Sequence, residues 1–471
     1  MKRLFGMSFA LLASAAVAGP AVEVLSVSQN VRRAVVVEYR LTGGDAIVTA
    51  SFETNAVNEA QETVWAPIAG ANVKSVSGDV NAVVTVGTHA FTWKVTKDWP
   101  GRTIPAGGIR VKLTARSVRD PADYLVIDLE KTEKGVFYYE TADDVPGGVT
   151  DDAYKTTKVL LKRIRAANTP FRMGATCVDE KRVLPREQAR VVTLTEDYYM
   201  GVYEFTQKQY ELVAGFPGSA VVNATPSASR TMPNAGKRPV TNIQASTLRG
   251  SGADYVWPGK GHLVDPALPL GLLRTRYGFD FDLPTSAQWE YAAAGGVRTD
   301  YISGAYSYDG DNWGQENSGK MDDYSWSMFH YVDDDSVESV AGGIGYAKSW
   351  YDAASNTVKS DNRDNVPHVV GKLRPNNYGL YDIFGNVNEI CLDWFWLSSN
   401  DYDCLTDLVD PKGPPTAPTQ SDYATQTMGG GSCIGGGQAG DLLSHRISAR
   451  FAYAGTLGGN GFRLCCPAVA H

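Results

Sequence analysis

The chain has 471 residues, enough for two or three domains with cores of their own, so a single small module is excluded. Hydrophobic residues make up 43%, charged residues 20% and aromatic residues 10%, a composition far from that of disordered chains. The formal charge of −8, with no run of Lys or Arg, argues against nucleic acid or an anionic membrane as the main partner.

From the N-terminus, MKR forms a basic start, LFGMSFALLASAAV an apolar run, and Ala16-Val17-Ala18 a small-x-small cleavage pattern, so residues 1–18 are expected to be a signal peptide. The mature protein is then secreted, periplasmic or on the cell surface. No later stretch approaches 18 uninterrupted apolar residues, so the chain is not expected to span a membrane. Residues 19–130 hold short alternating runs (VEVLSVSQ, AVVVEYRL, AIVTASFE, AVVTVG, HAFTWKVT and IRVKLTARS) bounded by turn residues, which predicts a β-sandwich of fibronectin III or immunoglobulin size. Trp65 and Trp93 are its expected core aromatics. Residues 131–158 turn acidic and Gly/Pro-bearing (TADDVPGGVTDD) and read as an exposed linker.

From 159 to 471 the pattern changes to short helices, strands and long Gly/Asn/Asp loops, and the 48 glycines of the chain favour irregular loops over long helices. Two capping boxes mark helix starts, Thr206 with Gln209 and Thr285 with Gln288. The second helix is expected over 286–294, stopping at Gly295-Gly296 with Trp289 facing inward. The six cysteines (Cys177, Cys391, Cys404, Cys433, Cys465 and Cys466) suggest disulfides in an oxidising compartment, with the pairing open among 15 possibilities. Adjacent Cys465 and Cys466 are expected to face different partners.

The ordered segments FRMG (171–174), RPVTNI (238–243), FDLPTSAQWEYAAAGG (281–296), VGKLRPNNYGLYDIFGNVNEICLDW (370–394), GGGS (429–432), RISAR (446–450) and GFRL (461–464) resemble the sulfatase-modifying-factor, or formylglycine-generating-enzyme, domain. The likeness spans about 300 residues and implies an α+β, C-type-lectin-like fold. Enzymatic members oxidise a sulfatase cysteine with copper held by two cysteines, because soft thiolates suit Cu(I). The motif places those two positions at Gly435 and Leu442, neither of which is a cysteine, so copper is not expected. The loop instead offers Cys433, Gly435, His445 and Arg450 as candidate ligand-binding residues.

The same resemblance implies a structural calcium held by the side chains of Asp382 and Glu389 and the carbonyls of Gly385 and Val387, hard oxygens of the kind Ca²⁺ takes. Asn388 stands where the family usually has Trp. A second calcium near Asp311 and Asn312 cannot be aligned. Ergothioneine-type relatives place non-haem iron on histidines, but the six histidines here are scattered. AGGIGYAKS lacks the Gly that must precede the phosphate-loop Lys, and DGDNWG lacks the ligands of an EF-hand. Tyr378, Tyr381, Trp394 and Trp396 are candidates for a ligand groove, although family position makes most of them core. The expectation is a calcium-stabilised module that binds a protein or glycan outside the cytoplasm. The alternatives are a sulfatase-maturation or non-haem-iron oxidoreductase with unrecognised ligands, and a structural spacer.

Overall fold

The computed structural model describes residues 19–30, 33–101, 107–131, 135–174, 189–255, 257, 263–297, 299, 323–326, 348–352, 357–361, 367–395, 408–413, 425–429, 446–452 and 459–469. The expected signal peptide lies outside them. The chain divides into two compact units, one running to Ile68 and resuming over Ser75–Val118, the other formed by Ala69–Lys74 and everything from Arg119.

The first unit is antiparallel. Its strands are β1 (Ala21–Gln29), β2 (Val35–Thr42), β3 (Ala46–Val57), β4 (Thr63–Ile68), β5 (Val76–Gly78), β6 (Ala82–Val84), β7 (Gly87–Trp93) and β8 (Ile109–Ser117), with a one-turn helix α1 (Val95–Asp98) after β7. One sheet has the order β1-β2-β7-β5; in the other β3 pairs with β4, β6 and β8. Strand β2 shows why these residues pair. Val35, Val37, Tyr39 and Leu41 point inward while Glu38, Arg40 and Thr42 point to water, the period-2 pattern of a half-buried strand. Trp93 is fully buried and donates its indole N–H to Asp98 at 2.8 Å. Trp65 is not a core residue. It lies 37% exposed on β4, a largely exposed strand, with the Arg110 guanidinium over its ring.

The second unit is organised by a five-stranded antiparallel sheet. Its strands are β9 (Tyr124–Asp128), β10 (Val136–Tyr139), β11 (Lys158–Ile164), then after the hairpin β12 (Thr169–Met173) and β13 (Arg190–Leu194), β14 (Tyr198–Gly201), and finally the last strand of the chain, Cys465–Pro467. The order is β10-β9-β11-β14 followed by that C-terminal strand. Residues 131–158 are therefore not an exposed linker. Val136–Tyr139 pairs with β9, and Tyr139, Val145 and Tyr154 are buried, with the Tyr154 hydroxyl donating to the Pro146 carbonyl. The acidic, Gly/Pro-bearing run TADDVPGGVTDD reads as a linker, but the short apolar run Val136–Tyr139 before it is long enough to pair as a strand.

Short helices flank this sheet: α2 (Gln207–Ala214), α3 (Ala245–Arg249), α4 (Pro269–Tyr277) and α5 (Ser286–Ala294). Both predicted capping boxes are present. Gly295 ends α5 in the left-handed region, φ 56°, which an L side chain adopts only at a cost. Trp289 is buried with Met200, Leu380, Phe384 and Cys391. Further strands are β15 (Ser325–Trp326), β16 (Lys348–Asp352), β17 (Thr357–Asp361), β18 (Phe384–Gly385), β19 (Asn388–Phe395), β20 (Thr425–Gly429), β21 (Phe451–Ala452), β22 (Asn460–Gly461) and the C-terminal β23. Strand β19 lies between β20 and β22. Among the described residues no helix is long and apolar enough to cross a membrane.

Candidate functional site

The turn 382–389 joins β18 to β19 and brings the four expected calcium ligands onto one stretch. Asp382, Gly385 and Asn386 all have positive φ (52°, 88° and 61°), so the backbone folds back tightly on itself. The Asp382 carboxylate accepts the Gly371 N–H at 2.5 Å. Glu389 is turned away from Asp382's partners and into an ion pair with Arg463, both side chains almost wholly buried. Arg463 Nη2 meets Glu389 Oε1 at 2.7 Å, and Trp289 donates its indole N–H to Oε2 at 2.7 Å.

A third carboxylate, which the sequence reading missed, belongs to this cluster. Glu204 is fully buried and accepts the Asn386 side-chain amide at 2.6 Å and the Val387 N–H at 3.2 Å. Burial, with Asp382 and Glu389 adding repulsion, pushes its carboxyl well above the usual range. The signal was present in the YEFT run that precedes the capped helix, where a charged residue sits amid apolar ones. The donor set is all hard oxygen, and Asp382 and Glu389 face the one guanidinium of Arg463 with the Glu204 carboxyl beside them, an arrangement that suits a dication. Among the described residues no three His, Cys, Asp or Glu side chains converge as a ready-made metal cage.

Of the candidate ligand-binding residues, Cys433, Gly435 and His445 lie outside the described residues, as do Asp311, Asn312 and Trp396. Arg450 is described, and it is not a surface residue. It is buried, pairs through Nη2 with Glu290 Oε2, and donates from Nη1 to the Ser448 carbonyl at 3.2 Å. Glu290 also accepts the Gly174 N–H at 2.5 Å, and burial raises its carboxyl above the ordinary value even with Arg450 beside it.

That buried pair borders a cavity of about 640 Å³ between β12, α5 and Ile447-Ser448. Phe171 and Tyr291 meet edge to face at 5.0 Å, and Tyr378 lies 6.1 Å beyond Tyr291. Ser448 lines the cavity, and its buried hydroxyl has no hydrogen-bond partner among the described residues, a state that costs about 1–3 kcal/mol. A second cavity, about 360 Å³, is lined by Asp197, Asp282, Asp410 and residues 465–467 among others, and these three acids are engaged. Asp282 pairs with Arg249 and Arg274, Asp197 with Arg163, and Asp410 accepts from Thr195.

Cys465 and Cys466 are buried free thiols, so the disulfide expectation does not extend to them, and Cys391 is buried in the core. Burial raises the thiols of Cys465 and Cys466, which keeps them protonated and unreactive. Their side chains leave opposite faces of β23, as strand alternation requires.

Residues 155–465 match the model of the sulfatase-modifying factor enzyme 1-like domain, more than half of the chain. The chain belongs to that family. Among relatives of the sulfatase-modifying-factor domain, the chaperone protein LppX of Paenibacillus barcinonensis is 28% identical over 211 residues, 43% of this chain and 64% of its own. The formylglycine-generating enzyme of Streptomyces coelicolor is 31% identical over 154 residues, 32% of this chain and 36% of its own. The chain thus spans less than two thirds of either relative. The solved structure of PvdO from Pseudomonas aeruginosa aligns with a TM-score of 0.41 at 16% identity, over 65% of this chain and 94% of that one. Treponema denticola variable protein 1 aligns at 0.37 and 22%, over 66% and 96%.

Proposed function

We propose that the protein is exported and that its sulfatase-modifying-factor domain, on a C-type-lectin-like framework, works as a binding module rather than as a copper oxidase. The N-terminal unit, in this reading, is a β-sandwich. The observation that carries it is the residue pair at the copper posts, Gly435 and Leu442, which offer no thiolate to Cu(I). The cavity beside Ile447-Ser448 supplies a place for a ligand in the same C-terminal region. Incubating the purified protein with a Cys-x-Pro-x-Arg peptide, copper and oxygen should leave the thiol intact by mass spectrometry. Formylglycine in the product would return the chain to the oxidoreductases.

The reading includes a calcium ion at the 382–389 turn. The support is chemical: Asp382, Glu389 and the carbonyls of Gly385 and Val387 are hard oxygens, and Glu204 adds negative charge behind them. Glu389 would share its carboxylate between the ion and Arg463. Millimolar CaCl₂ should then raise the Tm relative to EGTA, and Asp382→Asn should abolish that rise; equal Tm values in the two buffers would remove calcium from the account.

A further inference from the structure

The cavity between β12, α5 and Ile447-Ser448 has a definite chemical character. Its walls are rings, Phe171, Tyr291 and Tyr378, set at angles to one another. At its edge the carboxylate of Glu290 is paired with Arg450, and Arg172 adds a further guanidinium to the lining. The remaining polar side chains along it include the hydroxyls of Thr169, Tyr378 and Ser448, and that of Ser448 is buried without a partner among the described residues. Aromatic faces provide contact area at little entropic cost, while an unmatched hydroxyl rewards a ligand that both donates and accepts. The volume falls in the range of small-molecule sites.

Resting on the binding-module reading, we propose that this cavity is a subsite for a sugar ring, with apolar ring faces against Tyr291 and Tyr378 and a ligand hydroxyl reaching Ser448. A sugar supplies both things the walls ask for, C–H faces for the aromatics and hydroxyls for the serine. A peptide would require a run of unpaired backbone amides, and the Gly174 N–H that borders the cavity is already given to Glu290. None of the cavity's lining residues belongs to the 382–389 turn. Residues far apart in sequence build it, which is why no local motif announces it.

Ligand-observed NMR of the full-length protein with maltose, cellobiose, lactose and diacetylchitobiose, each at millimolar concentration, tests the assignment. At least one should bind saturably, and Tyr378→Ala should weaken it by about tenfold, the loss expected of one ring contact. Ser448→Ala removes the unpartnered hydroxyl, so its Tm should be unchanged or higher while its affinity for the same sugar falls severalfold. That split separates a ligand contact from a structural role. The proposal is overturned if none of the four binds, or if both variants bind as the parent does. Capture of a blocked tetra-alanine peptide that is lost in Ser448→Ala would overturn the sugar assignment and leave the binding-module reading in place. Formylglycine formation in the peptide assay would instead overturn that reading itself.

Discussion

Arg463 reaches five acceptor atoms: both carboxylate oxygens of Glu389 and the carbonyls of Gly201, Val202 and Tyr381. Removing the guanidinium leaves the buried Glu389 carboxylate without its counter-charge and takes a donor from three carbonyls, so Arg463→Ala should cost about 3–5 kcal/mol in urea denaturation. Glu389→Gln keeps an acceptor for Arg463 and should cost less; a larger loss from the glutamine would place the important charge elsewhere. Asp393 behaves differently because, among the described residues, no cation forms an ion pair with it, although the charge of Arg450 acts on it. Burial pushes its carboxyl up to about 6, while the Ser286 N–H that it accepts pulls the other way. The folded state therefore holds a proton that the unfolded chain has released, and the stabilisation is full below about pH 4 and lost as pH rises through about 6. The shift corresponds to stability on the order of 2–3 kcal/mol. In thermal melts, Asp393→Asn should flatten the decline between about pH 4 and 6, the window that the shift defines; an unchanged profile would show that another group sets it.

The two capped helices differ in what their threonines do. Thr285 accepts the Gln288 N–H at the start of α5, so Thr285→Ala should cost about 1 kcal/mol, the usual worth of a cap. Thr206 accepts from Gln209 and also donates to the buried Lys155 carbonyl, so Thr206→Ala leaves that carbonyl unmatched and should cost about 1–3 kcal/mol more. Equal losses would mean that the carbonyl finds another donor. Helix starts of this kind are legible in sequence because cap and partner stand three residues apart. The strands of the first unit, such as β2 and β8, are legible for a similar reason, since alternation is a local pattern. The 382–389 turn could be located because its motif is contiguous. Glu204 enters that cluster from 180 residues away, and the Ser448 cavity is assembled from β12, α5, Tyr378 and the 446–450 segment, so neither leaves a local trace.

The boundary of the second unit is set by sheet closure rather than by composition. Strand β11 is buried along nearly its whole length because β9 covers one edge and β14 the other, and β14 is in turn covered by β23 at the far end of the chain. An unpaired edge on so apolar a strand is an aggregation hazard. A fragment spanning 159–471 lacks β9 and β10, and with them the buried Leu125, Val126 and Ile127, each about 1.5–3 kcal/mol of lost burial. It should be insoluble or melt without a cooperative transition. A fragment spanning 119–471 retains both strands and the buried Tyr139, Val145 and Tyr154, and it should melt cooperatively by calorimetry. If 159–471 instead folds as well as the longer fragment, β9 and β10 are additions to a complete domain, and the family core begins where its sequence motifs do.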